Sequence, residues 1–393
     1  MPTTISYPKM DRISNLPLGI IETILCLLPI EEAARTSILS TEWRYHWIKI
    51  PKLAFYESKF EVAAYRAEPS VLERTFDMPS KRKDMATRCT LFYAIYQVLL
   101  IHQGLIREFA LSMKADESCV EIDHIILNLS MRKTVKIFKL ELKRRYKLPK
   151  SFFSLHQLTD LHLSDCALEL QPSFNGFASL TTLYLELLGA FDKTFLHFLS
   201  ICPLLKRLTL KCDASTIICV SNFTIVDLFD CLPVIEYLSF WFDIVLCFGA
   251  DRLPKELPTT LVHLKRLFIQ YISFRHMYGL PFVFLLIRSA PNVEKLKLEM
   301  MEETCLEEHE FGSVSLKEYS NIMLERLDEL EIINFSNAEN ELDFVKLILA
   351  KSPVLKIVRI CLSDGFAKDE ELRISKTLLH LTGASTTVNI IAS

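Results

Sequence analysis

A single short pattern governs what this chain can become. An aliphatic residue, two others, a second aliphatic, one other and a third aliphatic recur along most of its length. The cleanest copies are Leu158-x-x-Leu161-x-Leu163, Leu180-x-x-Leu183-x-Leu185, Leu205-x-x-Leu208-x-Leu210, Ile235-x-x-Leu238-x-Phe240, Leu264-x-x-Leu267-x-Ile269, Val293-x-x-Leu296-x-Leu298, Leu327-x-x-Leu330-x-Ile332 and Leu355-x-x-Val358-x-Ile360. Ile106-x-x-Phe109-x-Leu111 and Val135-x-x-Phe138-x-Leu140 are looser copies. Successive third positions lie 22 to 34 residues apart, a period that stacks one supersecondary unit on the next.

Mechanically, each copy reads as one short strand whose alternate aliphatics point inward. The strands lie side by side in a parallel sheet, and the residues between them return as a helix or an irregular arc, as at 191–200 and 282–289. One repeat cannot bury its apolar face alone, whereas ten in a row can. Cys202-Pro203, Leu232-Pro233, Ala290-Pro291 and Ser352-Pro353 stand just ahead of a first aliphatic and end the preceding helix. The spacing is that of leucine-rich repeats. The expected class is α/β, with repeats over 105–325, final repeats over 326–393 and the parallel sheet on the concave face of a curved solenoid. A segment over 56–104 links or caps the array.

This register puts the alternate strand residues on one outward surface. His162, Tyr184, Glu186, Thr209, Lys211, Ser239, Trp241, Phe268, Gln270, Lys297 and Arg359 are on it. Surfaces rarely spend large aromatics on neighbouring solvent positions, while interfaces do. Tyr184, Trp241 and Phe268 are therefore the expected anchors for a partner protein, with Lys211, Lys297 and Arg359 steering an acidic one.

Ahead of the repeats, residues 10–50 read as three short helices. Pro17 opens the first, in which Ile21, Ile24, Leu25 and Leu28 fall at helical spacing and Ile20, Ile24 and Leu27 form an adjoining face. Pro29 stops it. Glu31 and Glu32 suit the start of a second helix reaching about Leu39. Ser40 is placed to cap a third carrying Trp43, Arg44 and Trp47. Faces this wide cannot be hidden by three short helices and need a partner.

Asp11-Arg12-Ile13-Ser14-Asn15-Leu16-Pro17, Ile24-Leu25-x-x-Leu28-Pro29 and Ser37-Ile38-Leu39-Ser40-x-x-Trp43-Arg44-x-x-Trp47 resemble the F-box of plant F-box proteins, here over 8–55. Leu18-Gly19 replaces the acidic residue usual after Leu-Pro, and Thr41-Glu42 the basic residue usual before Trp-Arg. Leu342-Asp343-Phe344-Val345 through Ser352-Pro353-Val354-Leu355 to Ala384-Ser385-Thr386 resembles the FBD module that many such proteins carry after leucine-rich repeats. The resemblance implies a substrate-recognition subunit of an SCF-type (Skp–cullin–F-box) ubiquitin ligase. Its Skp-type adaptor, and through that the cullin and RING subunits, would be bound by Leu16, Pro17, Ile20, Ile24, Leu28, Pro29, Leu39, Trp43 and Trp47. The repeats would bind a protein substrate. A ligase-independent scaffold and a ligand-dependent receptor of the same architecture are the alternatives.

Composition narrows the rest. Forty-five basic residues against 48 acidic ones give a net charge of −3, which disfavours a nucleic-acid partner. The eleven cysteines include no CxxC and suit a reducing compartment, cytoplasm or nucleus. The longest strongly apolar run, residues 282–287, is too short to span a bilayer, and no secretory signal opens the chain. No GxGxxG, GxxxxGK[ST], HExxH or GxSxG occurs, so no cofactor, metal site or catalytic residue is expected.

Overall fold

The computed structural model describes the chain apart from residues 1–15, 42, 61–77, 116–118, 188–192, 213–223, 243, 245–252, 302–315, 320, 364–365, 382–388 and 393. Residues 11–15 of the N-terminal motif and 384–386 of the C-terminal one lie outside the described residues. The chain divides into two compact units, residues 1–164 and 165–393.

The first unit starts with α1 (Leu18–Cys26) and α2 (Ile30–Arg35), which runs on as a 3-10 turn over Thr36–Ile38. The expected third helix is instead two separate 3-10 turns, Trp43–Tyr45 and Trp47–Lys49. Ser40 does cap it, its Oγ accepting from the Trp43 backbone N–H at 3.2 Å. Two Trp, a Tyr and a His are indifferent helix formers, and Pro51 forbids extension, so the tighter coil is what fits.

Strands β1 (Lys52–Tyr56), β2 (Glu108–Met113) and β3 (Ile137–Lys147) follow, with α3 (Met78–Ile101) and α4 (Val120–Arg132) between them. β4 (Asp160–Ala167) carries the chain into the second unit. Register alignment puts Leu53 beside Phe109 and Phe109 beside Phe138, then Phe55 beside Leu111 and Leu111 beside Leu140. Ile50-x-x-Leu53-x-Phe55 is thus a further copy of the repeat, one earlier than the expected start at residue 105. It went unread because its first aliphatic also closes the N-terminal helical motif. The link expected over 56–104 contains α3, the helix that returns from β1 to β2. Phe55, Phe109, Phe138 and Phe152 form a file of rings, each 5.7 to 6.0 Å from the next.

The helical segment and the first repeat share backbone bonds. The Gln103 N–H donates to the Ile48 carbonyl at 2.9 Å, and His102 Nε2 lies 2.9 Å from the Ile50 carbonyl. Between them the chain passes so close to Lys49 that a Cβ on Gly104 would sit 2.3 Å from its carbonyl oxygen. Only glycine fits there.

The second unit continues with β5 (Thr182–Leu187), β6 (Arg207–Cys212), β7 (Tyr237–Trp241), β8 (Arg266–Ile272), β9 (Lys295–Met300), β10 (Glu329–Phe335), β11 (Ile357–Leu362) and β12 (Asn389–Ala392). Their returns include α5 (Lys193–Ser200), α6 (Ile225–Asp230), α7 (Gly279–Ser289), α8 (Glu339–Lys351) and α9 (Lys368–Leu381). Within each unit the paired strands, β1 to β3 and β5 to β12, run parallel in chain order, the α/β arrangement consistent with a leucine-rich solenoid.

The register matches the repeat: Leu183, Leu208, Leu238, Leu267, Leu296, Leu330 and Val358 align, and so do Leu185, Leu210, Phe240, Ile269, Leu298, Ile332 and Ile360. Every one of these side chains is buried. Among the described residues, a forked bond repeats at nine strand entries. For example, the N–H groups of Glu236 and Tyr237 share the Lys206 carbonyl, and those of Lys265 and Arg266 share that of Glu236. The apolar run 282–287 is the buried α7. Among the described residues, no helix is long and apolar enough to cross a membrane.

Candidate interaction surfaces

In α1 the helical period separates two faces. Ile21 and Leu25 turn inward, while Leu18, Ile20, Ile24, Leu27 and Leu28 stay exposed, Leu27 at 81%. Ile38 and Leu39, at 87% and 66%, extend the apolar surface onto the next turn. Of the residues expected to bind the adaptor, Pro17, Ile20, Ile24, Leu28 and Leu39 are exposed, and Leu16, Pro29 and Trp47 are half-buried. Trp43 is only 3% exposed, its ring edge-on to His46. It holds the turns together from inside rather than forming part of the outer surface.

The strand surface of the second unit carries Tyr184, Thr209, Phe268, Lys297, Glu331 and Arg359 in one aligned row, with Ser239, expected to be outward, in register between Thr209 and Phe268 but buried. Trp241 stands beside Gln270 in the next row, as Lys211 does beside Glu186. Tyr184, Lys211, Trp241, Phe268, Lys297 and Arg359 are all half-buried on this surface. Three of them are drawn together, because the Lys211 ammonium lies 5.3 Å from the Tyr184 ring centre and 5.1 Å from that of Trp241. Lys297 sits 5.0 Å above Phe268.

Lys297 and Arg359 are also neutralised from neighbouring strands. Lys297 pairs with Glu331 at 2.8 Å, and Arg359 pairs with Glu329, which Lys295 holds as well. These bonds keep the Glu329 carboxyl below the usual range, Lys295 contributing most. Glu186 accepts from the Tyr184 hydroxyl at 3.1 Å. Burial, then the Glu186 charge, pushes the Asp165 carboxyl up to about 6. Among the described residues no three His, Cys, Asp or Glu side chains come together as a metal site would require.

Residues 13–53 match the F-box domain family. The chain carries an F-box domain. An F-box/FBD/LRR-repeat protein of Arabidopsis thaliana is 28% identical over 91% of this chain and 93% of its own length. An F-box/LRR-repeat protein and an FBD-associated F-box protein of the same plant are 30% and 29% identical over 53% and 55% of this chain. The chain spans 40% and 47% of the length of those two. The fold and these relatives therefore agree with the plant F-box, FBD and leucine-rich-repeat resemblance.

Three features of the two surfaces escaped the sequence reading. The exposed Leu18 and Ile38 of the F-box extend its apolar face, to which Leu27, read on the adjoining helical face but not among the adaptor-binding residues, also belongs. Glu329 and Glu331, which occupy the cations, are aligned with them only across intervals of about thirty residues, so only the repeat register could have paired them. Tyr271, whose ring lies 4.7 Å from that of Trp241, sits where alternation places no side chain on this face, because the strand bulges there.

Proposed function

We propose that this chain is the substrate-recognition subunit of an SCF-type ubiquitin ligase. Its F-box binds a Skp-type adaptor, and through it the cullin and RING subunits. The strand surface of the leucine-rich array binds the target protein. The observation that carries this reading is the apolar face of Leu18, Ile20, Ile24, Leu27, Ile38 and Leu39, exposed on a segment with F-box sequence. A contiguous apolar patch of this kind on a folded chain marks a protein interface. The array then acts by proximity, holding a target where other subunits transfer ubiquitin, and needs no reactive group of its own. The test is co-purification of the full chain with a Skp-type adaptor. Wild type should retain the adaptor and Ile20→Asp with Leu39→Asp should lose it. A folded double variant that still captures the adaptor would sink the assignment.

A further inference from the structure

Three strands pass through a left-handed residue two positions after the third aliphatic of their repeat. These are Asp165 with φ 58° after Leu163, Tyr271 with φ 55° after Ile269 and Asn334 with φ 58° after Ile332. The strand register shifts at the last two. Asp and Asn tolerate this conformation because a short polar side chain can bond locally, and the Asn334 amide also donates across to the Met300 carbonyl of the neighbouring strand at 3.4 Å. A tyrosine gains nothing from it and is strained. Backbone strain that persists at one surface position is commonly tied to what the side chain does there. Here it turns the Tyr271 ring onto Trp241, 4.7 Å between centres, beside the ring that carries Lys211.

Charge distinguishes this cluster from the rest of the strand surface. Lys297 and Arg359 have carboxylate partners. Lys211, among the described residues, has none within ion-pair distance, although Glu186 stands opposite it. Glu186 is engaged by the Tyr184 hydroxyl. The Trp241 indole N–H is buried without an acceptor. The Lys211 ammonium is thus the accessible donor of this aromatic platform, the indole N–H being turned inward.

We propose that Lys211, Trp241, Tyr271 and Tyr184 form an anchor for one acidic side chain of the target, flanked by an aromatic or leucine residue that packs on Tyr271. This inference rests on the reading that targets bind the strand surface. A cation partly desolvated on aromatic faces gains most from a carboxylate that completes its coordination. Asp165 and Glu186 border the cluster and repel a second carboxylate, so the anchor selects a single acid rather than an acidic run.

A random-peptide phage library panned against the full chain tests this. Enriched peptides should share one Asp or Glu next to an aromatic residue or leucine. Their affinity should fall about tenfold or more with Lys211→Met and with Tyr271→Asn. Tyr271→Asn should melt no lower than wild type, because asparagine suits the left-handed backbone, so its loss of binding reports the ring. Should it melt lower, Lys211→Met decides. Panning against Lys211→Glu should enrich Lys or Arg instead. Peptides without an acid, or affinities unchanged by both variants, would overturn the anchor. If binding fell only with Lys297→Met and Arg359→Met, targets would still use the strand surface and the anchor alone would be wrong. Insensitivity to all four variants would overturn both readings. A library with no enrichment above bare beads rejects the anchor, while adaptor capture by the same protein reports separately on the F-box.

Discussion

His102 and Ile50, 52 positions apart in sequence, are joined by a 2.9 Å bond between the imidazole Nε2 and a backbone carbonyl. A carbonyl only accepts, so Nε2 carries the proton and the buried Nδ1, which has no partner, is bare. Burial lowers the His102 pKa, with the bond to Ile50 opposing and the Arg132 charge adding to the fall. The ring is therefore neutral when folded and titrates near its ordinary value, about 6.5, when unfolded. Below that pH the unfolded chain binds the extra proton, so this contribution is complete above about 6.5 and is lost as pH falls toward the folded value. Melting of the first unit should fall between about pH 7.5 and pH 5.5. His102→Gln should flatten that slope, and an equal slope in the variant would refute the assignment.

Asp165 offers the opposite sign. Its carboxyl is raised from 3.8 to about 6, so ionisation above that value weakens the folded state and protonation below it relieves the penalty. Asp165→Asn keeps a residue suited to the left-handed backbone and removes the charge. It should stabilise the second unit by roughly 1 kcal/mol at neutral pH, after allowing for solvent screening. The gain should vanish near pH 4. Denaturant titrations at the two pH values measure both.

The repeat register makes neighbouring residues behave oppositely. Leu208 is fully buried, and Leu208→Ala should cost about 2–5 kcal/mol. Thr209, on the strand surface, should accept alanine within about 0.5 kcal/mol. Chemical denaturation of the two variants reads the difference.

Within the F-box, buried and exposed residues should separate by assay. Trp43→Ala empties a core site and should destabilise the domain by about 3–5 kcal/mol. Leu39→Asp changes an exposed side chain, so it should leave stability within about 0.5 kcal/mol while weakening adaptor capture. Circular dichroism with a pull-down distinguishes the two.

The strands were legible in the sequence because alternation with period two survives any variation in the returning arc. From Phe109 to Leu140 and from Leu183 to Ile360 the apolar positions aligned as read. The F-box was legible as a motif, but not the coil of its last turns, which packing of Trp43 decides. α3 was missed because its first half is polar and charged, and the exposed Tyr93, Tyr96, Leu100 and Ile101 obscure the stripe of Leu91, Phe92, Ile95, Val98 and Leu99. Tyr271 was invisible for a different reason. A bulge shifts the phase of alternation, and nothing in the residues Ile269-Gln270-Tyr271-Ile272 announces one.

Because the F-box match runs to residue 53 and the first repeat already begins at Ile50, the F-box is not a portable cassette. A cut after residue 50 would expose Ile48 and Ile50 on one side, leave β1 on the other without the turns that lead into it, and orphan the carbonyls that His102 and Gln103 now satisfy. Grafting this N-terminus onto an unrelated recognition domain would have to carry β1 and the 102–104 corner with it.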